Sequence, residues 1–153
     1  MAIGERIDFF RKKSNLTMKA LGQLLGFPAK SADVRIVQYV NNSRKPKADL
    51  TKAMAKIFRV VPEALTVPDI DSYIGLMHTL FTLEDVYGLT VDRIDDTVCL
   101  HLDKKISKPN NTLWTFLENW GSMKDKLAYG RITKEEYDGW RYNFSDHSTY
   151  KQG

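Results

Sequence analysis

A chain of 153 residues with 42% apolar and 27% charged side chains is long enough for one ordinary domain or two small ones and has the composition of a soluble globular protein. No apolar run approaches the roughly 20 residues of a spanning helix, and the start M-A-I-G-E-R lacks the charged-then-apolar order of a signal peptide, so a cytoplasmic protein with no membrane partner is expected. The net charge of +4 is uneven: residues 1–65 hold 13 Lys/Arg against 5 Asp/Glu, a net +8, and residues 66–153 hold 10 against 14, a net −4, so a polyanion suits the first part alone.

Ile3, Ile7 and Phe10 recur at helical spacing and predict a first helix, with Arg6, Arg11, Lys12 and Lys13 on its other surface. Ser14-Asn15 ends it. Thr17 is a good N-cap for a second helix carrying Leu21, Leu24 and Leu25 and closing at Gly26. Gly22 inside that helix costs about 1 kcal/mol relative to Ala, which predicts close packing against another helix.

After the turn Phe27-Pro28-Ala29-Lys30, Ser31 is placed to cap a third helix, with Asp33 in its first turn. Ala32, Ile36, Tyr39 and Val40 should face a core, leaving Val34, Arg35 and Gln38 outward. Arg pairs with guanine, Gln with adenine, and an apolar group packs on the thymine methyl, so this face suits base edges. Asn41-Asn42 should stop the helix before the basic run Arg44, Lys45, Lys47. A fourth helix follows Pro46 with Leu50, Ala53, Met54, Ile57 and Phe58, and Pro62 starts a short fifth with Leu65.

The motifs I-G-E-R-I-D-F-F-R, L-T-M-K-A-L-G-Q-L-L-G, Y-V-N-N-S-R-K-P and L-T-K-A-M-A-K-I-F-R-V-V-P-E-A-L occur in this order within residues 3–66. That region resembles the helix-turn-helix domain of the Cro/cI, or XRE, family of repressors. The resemblance implies a five-helix bundle that puts its third helix in the major groove. The chain departs from the family pattern in a second-to-third-helix turn about four residues longer, in Met18 where a phosphate-bracing Gln is common, and in Val40 and Asn42 where Glu and Gly are usual.

Pro68 to Asp71 reads as a linker, where the charge changes sign. Ser72–Tyr87 is apolar nearly all round and predicts a helix buried on more than one side, ended by Gly88. L-T-V-D-R-I and T-V-C-L-H-L-D flank Asp95-Asp96 as a hairpin. Lys104–Pro109 is expected as a loop. Asn111 or Thr112 should cap a helix with Leu113, Leu117, Trp120, Met123 or Lys124, and Leu127, closed by Gly130. Thr133 and Glu136 form a capping box for a last helix with Tyr137, Trp140 and Tyr142, and 145–153 reads as a polar tail. The segment K-L-A-Y-G-R-I-T-K-E-E-Y loosely resembles the C-terminal oligomerisation motif SHOCT.

The expected fold is therefore mainly α with a small β-hairpin: residues 1–67 as a repressor-like bundle, 68–71 as linker and 72–144 as a small α+β dimerisation domain. The expected activity is sequence-specific, operator-binding repression by a homodimer on double-stranded DNA. Ser31, Asp33, Val34, Arg35 and Gln38 are the expected base readers, and Lys19, Gln23, Lys30, Arg44, Lys45 and Lys47 the expected phosphate contacts. Tyr73, Met77, Leu80, Phe81, Trp114, Trp120 and Trp140 are the expected dimer contacts, being apolar or aromatic at helical spacing. No nucleophile-base set, phosphate loop or metal spacing is visible, so neither catalysis nor a cofactor is expected, and Asp92, Asp95 and Asp96 read as a polar hairpin. Two other readings remain open: an autoregulating antitoxin with a toxin partner, and a regulator whose aromatic C-terminal part senses an effector.

Overall fold

The computed structural model describes residues 3–68, 70, 72–103, 105 and 112–145. The described chain is mainly helical with one two-stranded antiparallel sheet, in the order α1 (Ile3–Lys13), α2 (Met18–Leu24), α3 (Ala32–Val40), α4 (Ala48–Phe58), a single 3-10 turn (Pro62–Ala64), α5 (Tyr73–Tyr87), β1 (Leu89–Ile94), β2 (Thr97–Leu102), α6 (Thr112–Ala128) and α7 (Lys134–Tyr142). Among the described residues, no helix is long and apolar enough to cross a membrane. The Lys104–Pro109 loop, apart from Lys105, the Asn111 cap and the tail beyond Ser145 lie outside the described residues.

Two compact units form: the first takes the described residues of 1–69 with those of 138–149, the second those of 70–137. Ile7, Phe10, Leu21, Ile36, Met54 and Leu65 are the largest fully buried side chains of unit 1. Burying each removes apolar area worth about 1.5–3 kcal/mol from water, enough together to hold α1–α4 in one body. The Thr17 hydroxyl caps α2 by accepting from the Ala20 amide at 3.0 Å, as its position predicts. Gly22 meets α3 so closely that a Cβ there would lie 2.5 Å from the Ala32 carbonyl oxygen, the close packing its cost implied.

Several sequence expectations need correction. Leu24 is 60% exposed, because α2 ends there and turns Leu21 and Gly22 inward. In α4 the inner row is Thr51, Met54, Ala55 and Phe58, so Ala53 faces solvent. The expected fifth helix is a single 3-10 turn that still buries Leu65.

The 72–144 boundary also shifts, because the end of α7 packs with unit 1. Tyr142 meets Phe10 edge-on at 4.9 Å and its carbonyl accepts from the Val61 amide at 3.2 Å. Asp138 pairs with Lys13 at 3.1 Å, and Asn143 Nδ2 donates to the Arg59 carbonyl at 3.2 Å. That carbonyl is free because Arg59 closes α4 in the left-handed conformation, φ 58°.

In unit 2 the Ser72 hydroxyl caps α5 and Gly88 ends it at φ 71°. Asp95 and Asp96 both take positive φ, 48° and 61°, the two-residue turn whose twist matches a right-handed hairpin. The hairpin pairs Leu89 with Leu102, Val91 with Leu100 and Arg93 with Val98. Thr133 and Glu136 cap α7 reciprocally, at 2.8 and 3.1 Å.

Candidate nucleic-acid interface

The inner face of α3 buries Ala32, Ile36 and Tyr39, which fixes its outer face: Val34 is 55% exposed, Arg35 is exposed and Gln38 is half-buried. Arg35 is held: its guanidinium lies 4.9 Å from the centre of the Phe27 ring, a cation–aromatic contact made from within the turn. In the sequence Phe27 reads only as part of the turn. Its signal was there, an aromatic side chain eight positions before an outward arginine in an extended connection.

Residues 25–31 make that connection from two turns in series. Gly26, at φ 82°, closes α2, with the Phe27 amide reaching back to the Gly22 carbonyl at 2.9 Å. The Ser31 amide then donates to the Pro28 carbonyl at 2.9 Å, which brings the chain into α3. Ser31 stands at the N-cap position, but its hydroxyl does not accept a cap bond. It donates instead to the Pro28 carbonyl at 3.4 Å, because its backbone (φ −130°, ψ 1°) departs from the extended form a capping residue needs. The Asp33 carboxylate takes the Val34 amide at 2.9 Å.

The exit of α3 is as closely tied. Asn42 adopts φ 62°, as expected of a residue that stops a helix, and its side-chain oxygen also accepts from the Gly4 amide at 3.0 Å. That bond joins the end of α3 to the start of α1, a link invisible in sequence because its partners lie 38 residues apart. Gly4 leaves no room for a side chain: a Cβ would stand 2.3 Å from the Val40 carbonyl oxygen. The Arg44 amide donates to the Gln38 carbonyl at 3.0 Å, and Ser43 Oγ bonds the Asn41 side chain, so the basic run leaves α3 in a defined direction.

Lys19, Gln23, Lys30, Arg44, Lys45 and Lys47 are all exposed, and none of these cations has an ion-pair partner among the described residues. The basic residues of α1 differ. Arg11 and Lys12 both pair with Asp8, at 2.6 and 2.7 Å, and Lys13 with Asp138. Arg6 is half-buried, donates to the Ala64 carbonyl at 3.0 Å and lies 4.9 Å from the Phe10 ring centre. Burial lowers its pKa, with Tyr142 opposing and Arg141 adding to the shift. Of these four, Lys12 and Lys13 are exposed on the outer surface of α1, as expected, while Arg6 and Arg11 are half-buried. The exposed cations without an ion pair among the described residues lie on α2, the turn, α3 and its exit, and on α4 and its C-cap at Lys52, Lys56 and Arg59.

Of the expected dimer contacts, Tyr73, Met77, Phe81 and Trp120 are exposed and Leu80 and Trp114 half-buried. Trp140 falls in unit 1, where its ring meets Phe144 edge-on at 5.6 Å, because α7 crosses from one unit to the other at Asp138. Unit 2 also contains an apolar groove of about 610 Å³ lined by Leu83, Tyr87, Leu100, Phe116 and Trp120. Trp120 Nε1 donates to the Tyr137 hydroxyl at 2.8 Å, which fixes the ring at the groove wall. Among the described residues, no three His, Cys, Asp or Glu side chains are grouped to hold a metal ion.

No family model matches the chain, and comparison with the curated proteins and with the solved structures gives no match.

Proposed function

We propose that this protein is a sequence-specific DNA-binding transcriptional regulator, a repressor in which α2, the following turn and α3 form a repressor-type helix-turn-helix. The observation that carries this reading is the outer face of exposed Val34 and Arg35 with half-buried Gln38, flanked by the exposed cations Lys19, Lys30, Arg44, Lys45 and Lys47, which have no ion-pair partner among the described residues. On this reading α3 enters the major groove, Arg35 and Gln38 meet base edges, Val34 meets a thymine methyl, and the flanking cations meet phosphates. The order and spacing of the motifs in residues 3–66, which resemble the Cro/cI family, support the same assignment. The protein acts as a homodimer on an inverted repeat, with half-sites about 34 Å or a multiple apart. It works by occupying DNA, not by catalysis.

Selection from a random duplex pool tests this. The expected result is one enriched inverted-repeat motif, bound with a steep salt dependence. Five phosphate contacts correspond to a log–log slope of about −4.5 per protomer. An unenriched pool, or a flat salt dependence, would remove the reading.

The apolar groove of about 610 Å³ favours a second reading, in which an effector regulates the same DNA binding. A small molecule bound there changes Trp120 fluorescence and weakens DNA binding in parallel.

A further inference from the structure

Unit 2 buries too little of its own apolar surface to be a complete fold. Among its described residues the buried apolar side chains are Leu102, Met123 and Tyr137, whereas thirteen large apolar side chains are exposed. A segment of this size has the least surface to spare, and three buried side chains do not offset the cost of ordering it. The deficit is greatest on α5, which has no buried residue at all. The sequence predicts burial on more than one side of this helix, and the single chain does not supply it.

The exposed side of α5 has a definite pattern. Tyr73, Met77 and Phe81 stand four residues apart and form one row, with Ile74 beside it; Tyr73 is 88% and Ile74 71% exposed. The same row runs on to Asp85, with Glu84 beside it, in the last turn of the helix. Acidic groups there oppose the helix dipole, and α5 carries no Lys or Arg to offset them.

We infer that the row Tyr73, Met77, Phe81 of α5 packs antiparallel against the same row of a second copy of this chain, completing the core of unit 2. The row is self-complementary in that direction. Met77 lies opposite Phe81 of the second copy, and Tyr73 lies opposite Asp85, which its phenol can reach as a donor. Glu84 and Asp85 then sit beside the N-terminus of the other α5, where negative charge is favoured. A parallel pair would set Glu84 against Glu84 and Asp85 against Asp85. Two-fold pairing makes both contacts twice, as an isologous interface requires. The inference gives an interface and a geometry to the homodimer proposed above, and it is tested without DNA.

The test uses the full chain with Cys99→Ser, so that no native thiol remains. Tyr73→Cys and Asp85→Cys are introduced singly and together, and each protein is oxidised mildly. The two positions are 12 residues apart in one helix, about 18 Å, so any disulfide joining them links two chains. The double variant is expected to form covalent dimer at least tenfold faster than either single variant. In sedimentation equilibrium the native chain is expected as a dimer at micromolar concentration, and Met77→Glu, which keeps its helical circular dichroism, as a monomer. A monomeric native chain, equal cross-linking by the single variants, or a Met77→Glu protein that remains dimeric would overturn the inference. A monomer that still selects one DNA motif would overturn it while leaving the DNA-binding reading in place.

Discussion

Phe27 bears on the proposed DNA face and Asp8 on the stability of the unit that carries it. The contact between Arg35 and Phe27 restrains a long side chain that would otherwise lose its freedom on meeting a base, so less entropy remains to be lost on binding. Phe27→Leu keeps apolar volume next to the core and removes the aromatic face. It is expected to weaken discrimination at the base pair read by Arg35 by about 0.5–1 kcal/mol, with little change in melting temperature. Titration against duplexes altered at each position checks this. Asp8 concerns stability. Burial alone would raise its pKa, but hydrogen bonds from Lys12 and Arg11 outweigh it and hold the carboxyl below its ordinary value. A carboxylate with a depressed folded-state pKa stabilises the fold above the ordinary carboxylate range and loses that contribution as pH falls through the folded value. Asp8→Asn is therefore expected to lower stability by about 0.5–1 kcal/mol at pH 7, and the native and variant curves should begin to approach each other at the ordinary carboxylate value and meet only below the lowered folded value. Denaturant titrations at several pH values would show this, and a constant difference down to pH 2 would contradict it.

The elements differ in how far their sequences determined them. Asn42 is the clearest case, because it serves both as the left-handed stop of α3 and as the acceptor for Gly4 at the start of α1. Asn42→Gly keeps the backbone conformation and loses the bond, while Asn42→Ala loses both. The expected order of stability is native, then Gly, then Ala, with steps of about 1 kcal/mol readable as shifts in thermal midpoint. The stop itself was legible, since Asn tolerates that conformation, and the bond to Gly4 was not, since nothing local pairs positions 38 residues apart. The Thr17 cap, the Gly88 stop and the Asp95-Asp96 turn all follow from local chemistry, and they agree with the structure. Arg6 was misplaced for the converse reason. An arginine opposite an apolar row reads as solvated, and only the fold brings Ala64 and Tyr142 over it. Ser31 shows a third limit, because its residue type suits a cap while its backbone does not adopt the capping geometry.

At the scale of the molecule, the return of α7 to unit 1 changes what a truncation removes. A chain cut after Asp69 lacks Tyr142, Asp138 and Asn143, which leaves the Phe10 edge, Lys13 and the Arg59 carbonyl without these partners. It is expected to melt several degrees below the full chain, since about 1 kcal/mol shifts the midpoint of a domain this small by roughly 4–8 °C. A protein of residues 1–69 as stable as the whole would show that this packing contributes nothing. The charge division by sequence, +8 against −4, agrees with the proposed placing of the DNA face, but part of that positive charge is engaged within the protein, because Arg11 and Lys12 share Asp8 and Lys13 pairs with Asp138 of α7. The central claim is that α3 reads base pairs through its outer face. Its most direct test is a titration of native, Arg35→Ala, Gln38→Ala and Lys45→Ala proteins against the selected duplex and its single-base variants. The account predicts that Arg35→Ala and Gln38→Ala each lose about 1–3 kcal/mol of discrimination at one base pair per half-site, while Lys45→Ala weakens every duplex alike. Native protein that binds selected and scrambled duplexes equally, or helix variants that keep full native discrimination, would contradict it.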